Sequence, residues 1–300
     1  MATKDSSLDA LRREIDAIDD AIHDALMRRS SLIGDIAKAK RGARTPLAMR
    51  PAREAEILRR LAERHRGALP MHVVARIWRE MVNGATAQQG PFAVAVCAPE
   101  KSVGYWDMAR SHFGSSTWMS LQTAAMPVLR IVAENPGTVG VLPLPQEGET
   151  DPWWLGLVTE AANGDIPRIV WRLPFFTSPA GLFERLEALA IAFIEPEPTG
   201  RDTTVLAIET RVDTSRASLL AAMQKGGLPA RVMAWHEDME AGYRVNLTEI
   251  DDFVTQRDPR LADLARELGD TAGRIVVLGA YPRPMSEEEL AAGGAANVSG

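Results

Sequence analysis

Three cations interrupt or border an apolar stripe near the start of this 300-residue chain. Leu8, Leu11, Ile15, Ile18, Ile22, Ala25/Leu26, Ile33 and Ile36 recur at spacings of three and four, the pattern of one apolar helix face. Seven residues beyond Ile22 stands Arg29, seven beyond Ile33 stands Lys40, and Arg12 lies beside the same face one turn after Leu8. A cation left buried and unpaired is strongly unfavourable, so something anionic must meet these groups. One solution is local ion pairing with Glu14, Asp19, Asp35 or Glu54. The other is a pocket for a ligand with more than one carboxylate, because the arginine fork grips carboxylates bidentately. Arg53 and Glu54, just after Pro51, add another cation and an acceptor for a ligand hydroxyl. Gln88 adds a neutral donor.

Other chemistries lack their residues. His23, His65, His72, His112 and His236 are scattered, with no pair at metal-ligand spacing. The sequence has no glycine-rich phosphate loop, no Ser–His–Asp pattern and no activated thiol at its lone Cys97. A polycationic pocket without nucleophile, metal or proton shuttle suits a reaction that needs only conformational restraint and charge stabilisation. No metal and no cofactor are expected.

The elements that must position these groups follow from periodicity. The stripe predicts a single helix from residue 8 to residue 40, about 50 Å long at 1.5 Å per residue. Two later helices, around 51–66 and 70–88, are each about half as long and cannot cover the whole stripe. A partner chain is expected to do so, which predicts a homodimer. After Gln88-Gln89-Gly90-Pro91 the texture changes to short β-like runs, 92–97 and 139–142 among them. A hinge-like stretch, Glu195-Pro-Glu-Pro-Thr-Gly-Arg-Asp202, precedes a unit that reads βαββαβ: strand 203–210, helix 215–224, strands 230–235 and 243–250, helix 259–268, strand 274–279. The expected architecture is multidomain, α plus α/β. A three-helix dimerising domain spans 6–90, a truncated α/β region spans 91–195, a ferredoxin-like sandwich spans 202–284, and 285–300 form a disordered tail. Trp153-Trp154 reads as core, with ligand stacking as the less favoured use.

Composition sets the outer limits. With 34 Lys+Arg against 40 Asp+Glu, net charge −6 and 46% hydrophobic residues, the chain has no global pull toward nucleic acid or an anionic membrane. No apolar run reaches the roughly 18 residues of a membrane span, and Met1-Ala-Thr-Lys-Asp carries no apolar signal core. One cysteine suits a reducing compartment. These features predict a cytoplasmic protein.

Leu11-Arg12-x-x-Ile15-Asp16-x-Ile18-Asp19, Arg28-Arg29, Lys38-Ala39-Lys40, Arg53-Glu54-x-x-Ile57-Leu58 and Gln88-Gln89 together resemble the all-helical class of chorismate mutases. The resemblance covers residues 7–89. It implies a three-helix protomer, dimerised through its long first helix, that rearranges chorismate to prephenate by an intramolecular Claisen shift. Carried over residue by residue, Arg12 reaches in from the partner chain to hold one carboxylate and Arg29 holds the other. Lys40 and Gln88 donate to the ether oxygen as its bond breaks. Arg53 supports the carboxylate cluster, and Glu54 accepts from the ring hydroxyl. Two positions depart: Arg50 stands where the family usually has an acid, and Gly84 where it usually has serine.

The rest of the chain resembles, more faintly, the prephenate dehydratase and ACT-like regulatory regions that follow the mutase in bifunctional enzymes. Val139-Gly-Val-Leu-Pro-Leu-Pro-Gln146 is similar to an early dehydratase strand and loop, and Arg257-Asp-Pro-Arg260 with Val277-Leu-Gly-Ala-Tyr-Pro-Arg283 to the end of the regulatory unit. The catalytic Thr-Arg-Phe of that family falls on Leu189-Ala190-Ile191, its Glu-Asn on Pro145-Gln146, and the regulatory Glu-Ser-Arg-Pro on Met233-Ala234-Trp235-His236. The resemblance therefore implies a mutase with a degenerate dehydratase region. The competing readings are a non-catalytic regulatory or assembly subunit of aromatic amino-acid biosynthesis and a bifunctional mutase–dehydratase.

Overall fold

A computed structural model describes residues 2–39, 47–99, 103–161, 166–176 and 186–292. The chain forms two compact units, Met1–Thr45 and Pro46–Gly300.

The first unit is one helix, α1 (Ala2–Ala39), 38 residues and therefore about 57 Å long. Most of its apolar stripe is exposed, with Ile33 half-buried. Leu11, Ile15, Ile18 and Ile22 are 55, 58, 53 and 53% exposed, and Ile36 is 49% exposed. A contiguous apolar surface of this kind marks an interaction face.

The second unit starts with α2 (Pro51–Arg64) and α3 (Met71–Ala87). Pro51 sits in the first turn of α2, where its missing N–H costs nothing. There follow β1 (Ala93–Cys97), α4 (Val103–Phe113), β2 (Trp118–Gln122), α5 (Ala125–Glu134), β3 (Thr138–Pro143), α6 (Trp154–Glu160), β4 (Arg168–Leu173) and β5 (Ala188–Ala192). The chain continues through β6 (Asp202–Arg211), α7 (Arg216–Lys225), β7 (Ala230–Asp238), β8 (Tyr243–Ile250), α8 (Pro259–Leu268), β9 (Ala272–Pro282) and α9 (Glu287–Ala292). The βαββαβ order expected from the sequence is present, with Ser215 and Asp258 accepting at the N-caps of α7 and α8.

The α/β region and the βαββαβ unit share one nine-stranded mixed sheet, ordered β2-β1-β3-β5-β4-β9-β6-β8-β7. Strand β1 is parallel to β2 and β3, β5 is antiparallel to β3 and β4, and the last four strands are antiparallel. The two halves meet where β4 pairs in parallel with β9 at Ile169 and Gly279. That approach requires glycine: φ at Gly279 is +149°, and a Cβ there would lie 2.3 Å from the Ile169 carbonyl oxygen. A buried charge network also crosses the seam. Glu249 on β8 accepts from Tyr281 on β9 and, at 2.9 Å, from Arg172 on β4.

Alternate residues of the strands feed opposite faces, except at the irregularity in β4 where Val170 and Trp171 enter the same core. Val94, Val96, Val170, Trp171 and Leu173 pack in one core with Ala55, Leu58 and Ala62 of α2 and Met71 and Ala75 of α3. Ala95, Cys97, Ile169, Leu189 and Ile191 pack in another with Val128, Trp153 and Trp154, which bears out the core reading of the tryptophan pair. A third core lies under α7 and α8. Helices α2 and α3 thus share their core with the sheet, instead of closing a helical domain of their own. The stretch read as a hinge is also held. Arg50 donates to Glu197 at 2.7 Å, and Arg59 to Thr199 Oγ1 at 2.9 Å and to the carbonyls of Arg201 and Arg283 at 2.9 and 3.0 Å.

The segment expected to be a disordered tail begins with structure. Met285 is buried, Leu290 packs against the first core, and Glu289 pairs with Arg201. Residues 293–300 lie outside the described residues. Among the described residues no helix is long and apolar enough to cross a membrane.

Candidate functional site

The residues singled out by the sequence fall into three groups. Arg12 and Arg29 lie on α1. Arg12 is exposed and ion-paired with Asp9 one turn earlier at 3.3 Å. Arg29 is half-buried, and that burial lowers its pKa. Lys40 lies outside the described residues.

Arg53 and Gln88 face solvent on the second unit. Arg53 pairs with Glu56 at 3.0 Å. Gln88 caps α3, its backbone N–H donating to the Gly84 carbonyl at 3.2 Å. Ile77, Gly84 and Gln88 lie eleven positions apart at most, on one exposed helix face, and the space around Gly84 is open. The two positions that depart from the resemblance lie on different elements, Gly84 on this face of α3 and Arg50 at the N-cap of α2. Gly84 removes a hydroxyl, and Arg50 is already engaged by Glu197.

Glu54 turns the other way. It sits on the face of α2 that carries Ala55, Leu58 and Ala62, is 4% exposed, and its Oε2 accepts from Arg79 Nη1 at 2.9 Å. Arg79, on α3, is equally buried. Its guanidinium carbon lies 4.7 Å from the ring centroid of Trp171 on β4 and 5.3 Å from that of Phe175 just beyond it, so cation–π attraction fixes it. Asn83 donates to the Arg79 carbonyl at 2.8 Å and to the His112 carbonyl at 2.9 Å, fastening α3 to the end of α4. The His112 ring meets Trp171 edge-on at 4.7 Å.

Burial governs the electrostatics of this cluster. Desolvation raises the Glu54 pKa, and the Arg79 charge opposes that rise. Arg79 is brought down to about 10 by burial, with Glu54 pulling the other way, so it remains a cation at neutral pH. His112 is pushed well below its ordinary value by desolvation and then by the nearby Arg79, and is neutral. Cys97 is raised to about 11 by burial, which leaves an inert thiol.

Arg79, Asn83, His112 and Trp171 were not among the candidate site residues read from the sequence, where His112 figured only as one of the scattered histidines. The signal was present. Met71, Ala75, Arg79 and Asn83 recur every four residues, so a cation continues an apolar stripe on α3 just as Arg29 does on α1.

His112 makes stability depend on pH. Its folded-state pKa lies below the unfolded value of about 6.5. As pH falls the unfolded chain therefore binds the proton first. The stabilisation is complete above about pH 6.5 and is lost on acidification, at up to about 1.4 kcal/mol per pH unit. Glu54, shifted upward, contributes with the opposite sign, so comparison with a variant isolates the histidine. Denaturant midpoints from pH 7.5 to 5 should fall less steeply for His112→Phe than for the parent chain. Equal slopes would exclude a neutral buried His112.

Residues 11–90 match the family described as chorismate mutase type II. A bifunctional chorismate mutase/prephenate dehydratase from Pseudomonas aeruginosa is 31% identical over 153 residues, 50% of this chain and 41% of that one. Its counterpart from Stutzerimonas stutzeri is 31% identical over 146 residues, 47% of this chain and 40% of that one. The chain spans about two fifths of the length of these relatives. Among solved structures, the prephenate dehydratase from Staphylococcus aureus covers 63% of this chain and 100% of its own at 11% identity, with a TM-score of 0.45.

Proposed function

We propose that the chain is a chorismate mutase, converting chorismate to prephenate in the cytoplasm as a homodimer. The observation that carries this reading is the match of residues 11–90; the cations read from the sequence resemblance, with Glu54 and Gln88, lie within that span. In this reading Arg12 of the partner chain and Arg29 hold the two carboxylates, with Arg53 supporting them. Lys40 and Gln88 donate to the ether oxygen, and Glu54 accepts from the ring hydroxyl. Clamping both carboxylates selects the compact conformer and lowers the entropic part of the barrier. Donors aimed at the oxygen where charge develops contribute about 3–4 kcal/mol each. The largely exposed stripe of α1 supports pairing of two such helices.

The remaining segments are read as non-catalytic. Residues 91–195 are a dehydratase-like remnant: Leu189, Ala190 and Ile191, at the positions of that family's catalytic trio, are fully buried in β5. Residues 202–284 are an ACT-like unit, a reading supported by the βαββαβ order and the strand sequence β9-β6-β8-β7. The decisive assay is the purified 300-residue chain with chorismate. Loss of its ultraviolet absorbance should accompany prephenate formation, and prephenate should yield no phenylpyruvate above the spontaneous rate. Absence of turnover would overturn the proposal.

The shared pocket is testable by complementation. Arg12→Ala and Lys40→Ala homodimers should each be nearly inactive. In the mixed dimer the Arg12→Ala chain keeps its own Lys40 and borrows an intact Arg12, so one pocket is whole. Co-expression should restore about half the wild-type activity per heterodimer, as two-fold symmetry requires. Heterodimers as inactive as the homodimers would rule out sharing.

A further inference from the structure

Glu54 is enclosed in the protein, whereas Arg53 beside it and Gln88 at the end of α3 are exposed. Its Oε2 is taken by Arg79, and its Oε1 is shut away from solvent. A substrate hydroxyl therefore reaches this carboxylate only after Glu54 leaves Arg79. The position of Arg79 depends on few contacts. Its Nε and Nη2 lack partners among the described residues, so the guanidinium is held by Glu54 and by the rings of Trp171 and Phe175. Those rings belong to the α/β region. His112 adds no second positive charge that could release the pair, because it is neutral.

We infer that Arg79, seated by Trp171 and Phe175, competes with the substrate hydroxyl for Glu54, so that the α/β region restrains the site on the helical segment. The inference rests on the mutase reading above. It assigns the α/β region a role that needs no chemistry of its own. Only the fraction of molecules with Glu54 released binds substrate fully, and apparent affinity falls by that fraction. Loosening the seat should therefore improve KM without changing the chemical step. A purely structural role predicts the opposite, since damage to a buried cluster lowers activity.

The test uses the 300-residue chain, chorismate and steady-state kinetics. Arg79→Lys keeps the charge but loses the planar stack, and Trp171→Leu removes the stack while keeping Arg79. Each is expected to lower KM by about 5-fold with kcat unchanged. In a Glu54→Gln background, Arg79→Lys should no longer shift KM, because the competition is already gone. Where one variant does not fold, the other decides. Unchanged or raised KM in a folded variant overturns the competition while leaving the mutase reading intact. A wild-type chain that does not turn over chorismate overturns the mutase reading, and this inference with it.

Discussion

Lys40→Ala should lower chorismate turnover by about 10²–10³-fold, the loss expected when one donor to a developing oxyanion is removed. The expectation comes from the stripe on α1: a lysine seven residues beyond Ile33 continues an apolar face. In the proposed mechanism its ammonium donates to the ether oxygen as the bond breaks. Loss of an interaction made only in the transition state should lower kcat and kcat/KM together, with little change in KM. Thermal melting should match that of the parent chain. A folded Lys40→Ala protein with near-normal turnover would falsify the assignment of Lys40.

The second large effect is on stability. Glu54→Leu leaves Arg79 buried without the carboxylate that opposes its desolvation. Removing one partner of a buried ion pair costs about 3–5 kcal/mol, because the other keeps its desolvation penalty. Denaturant unfolding of the full chain should register that loss. The double variant Glu54→Leu/Arg79→Met should recover most of it, as two apolar side chains leave no charge unpaired. A single-variant loss below about 1 kcal/mol would mean the pair is far more hydrated than its geometry implies. This result is independent of catalysis, so it separates the structural weight of the pair from its effect on KM.

What the sequence determined by itself is what local periodicity encodes. The stripe on α1 is legible because residues three and four apart share a helix face whatever else the chain does. The βαββαβ order is legible for the same reason. Strands such as β6 alternate Val205 and Ala207 on one face with Leu206 and Ile208 on the other, and Ser215 and Asp258 cap the helices between strands. The candidate cations were legible as charges that violate such a pattern.

Only the tertiary structure decided which face of α2 and α3 would be covered, and by what. Ala55, Leu58 and Ala62 specify an apolar face on α2, but the spacing does not say whether a helix or a sheet lies against it. Both α3 and the sheet share that core, and Glu54 is carried inward with the face while Arg53, the next residue back, stays in solvent. The partner of Glu54 is 25 residues away on α3, and the ring that seats that partner lies on a strand more than ninety residues beyond it. The fusion of two expected domains into one sheet likewise requires a close approach at Gly279, where a side chain would strike the Ile169 backbone. Such pairings follow from excluded volume and the desolvation of charge in a folded core, and neither has a period along the chain.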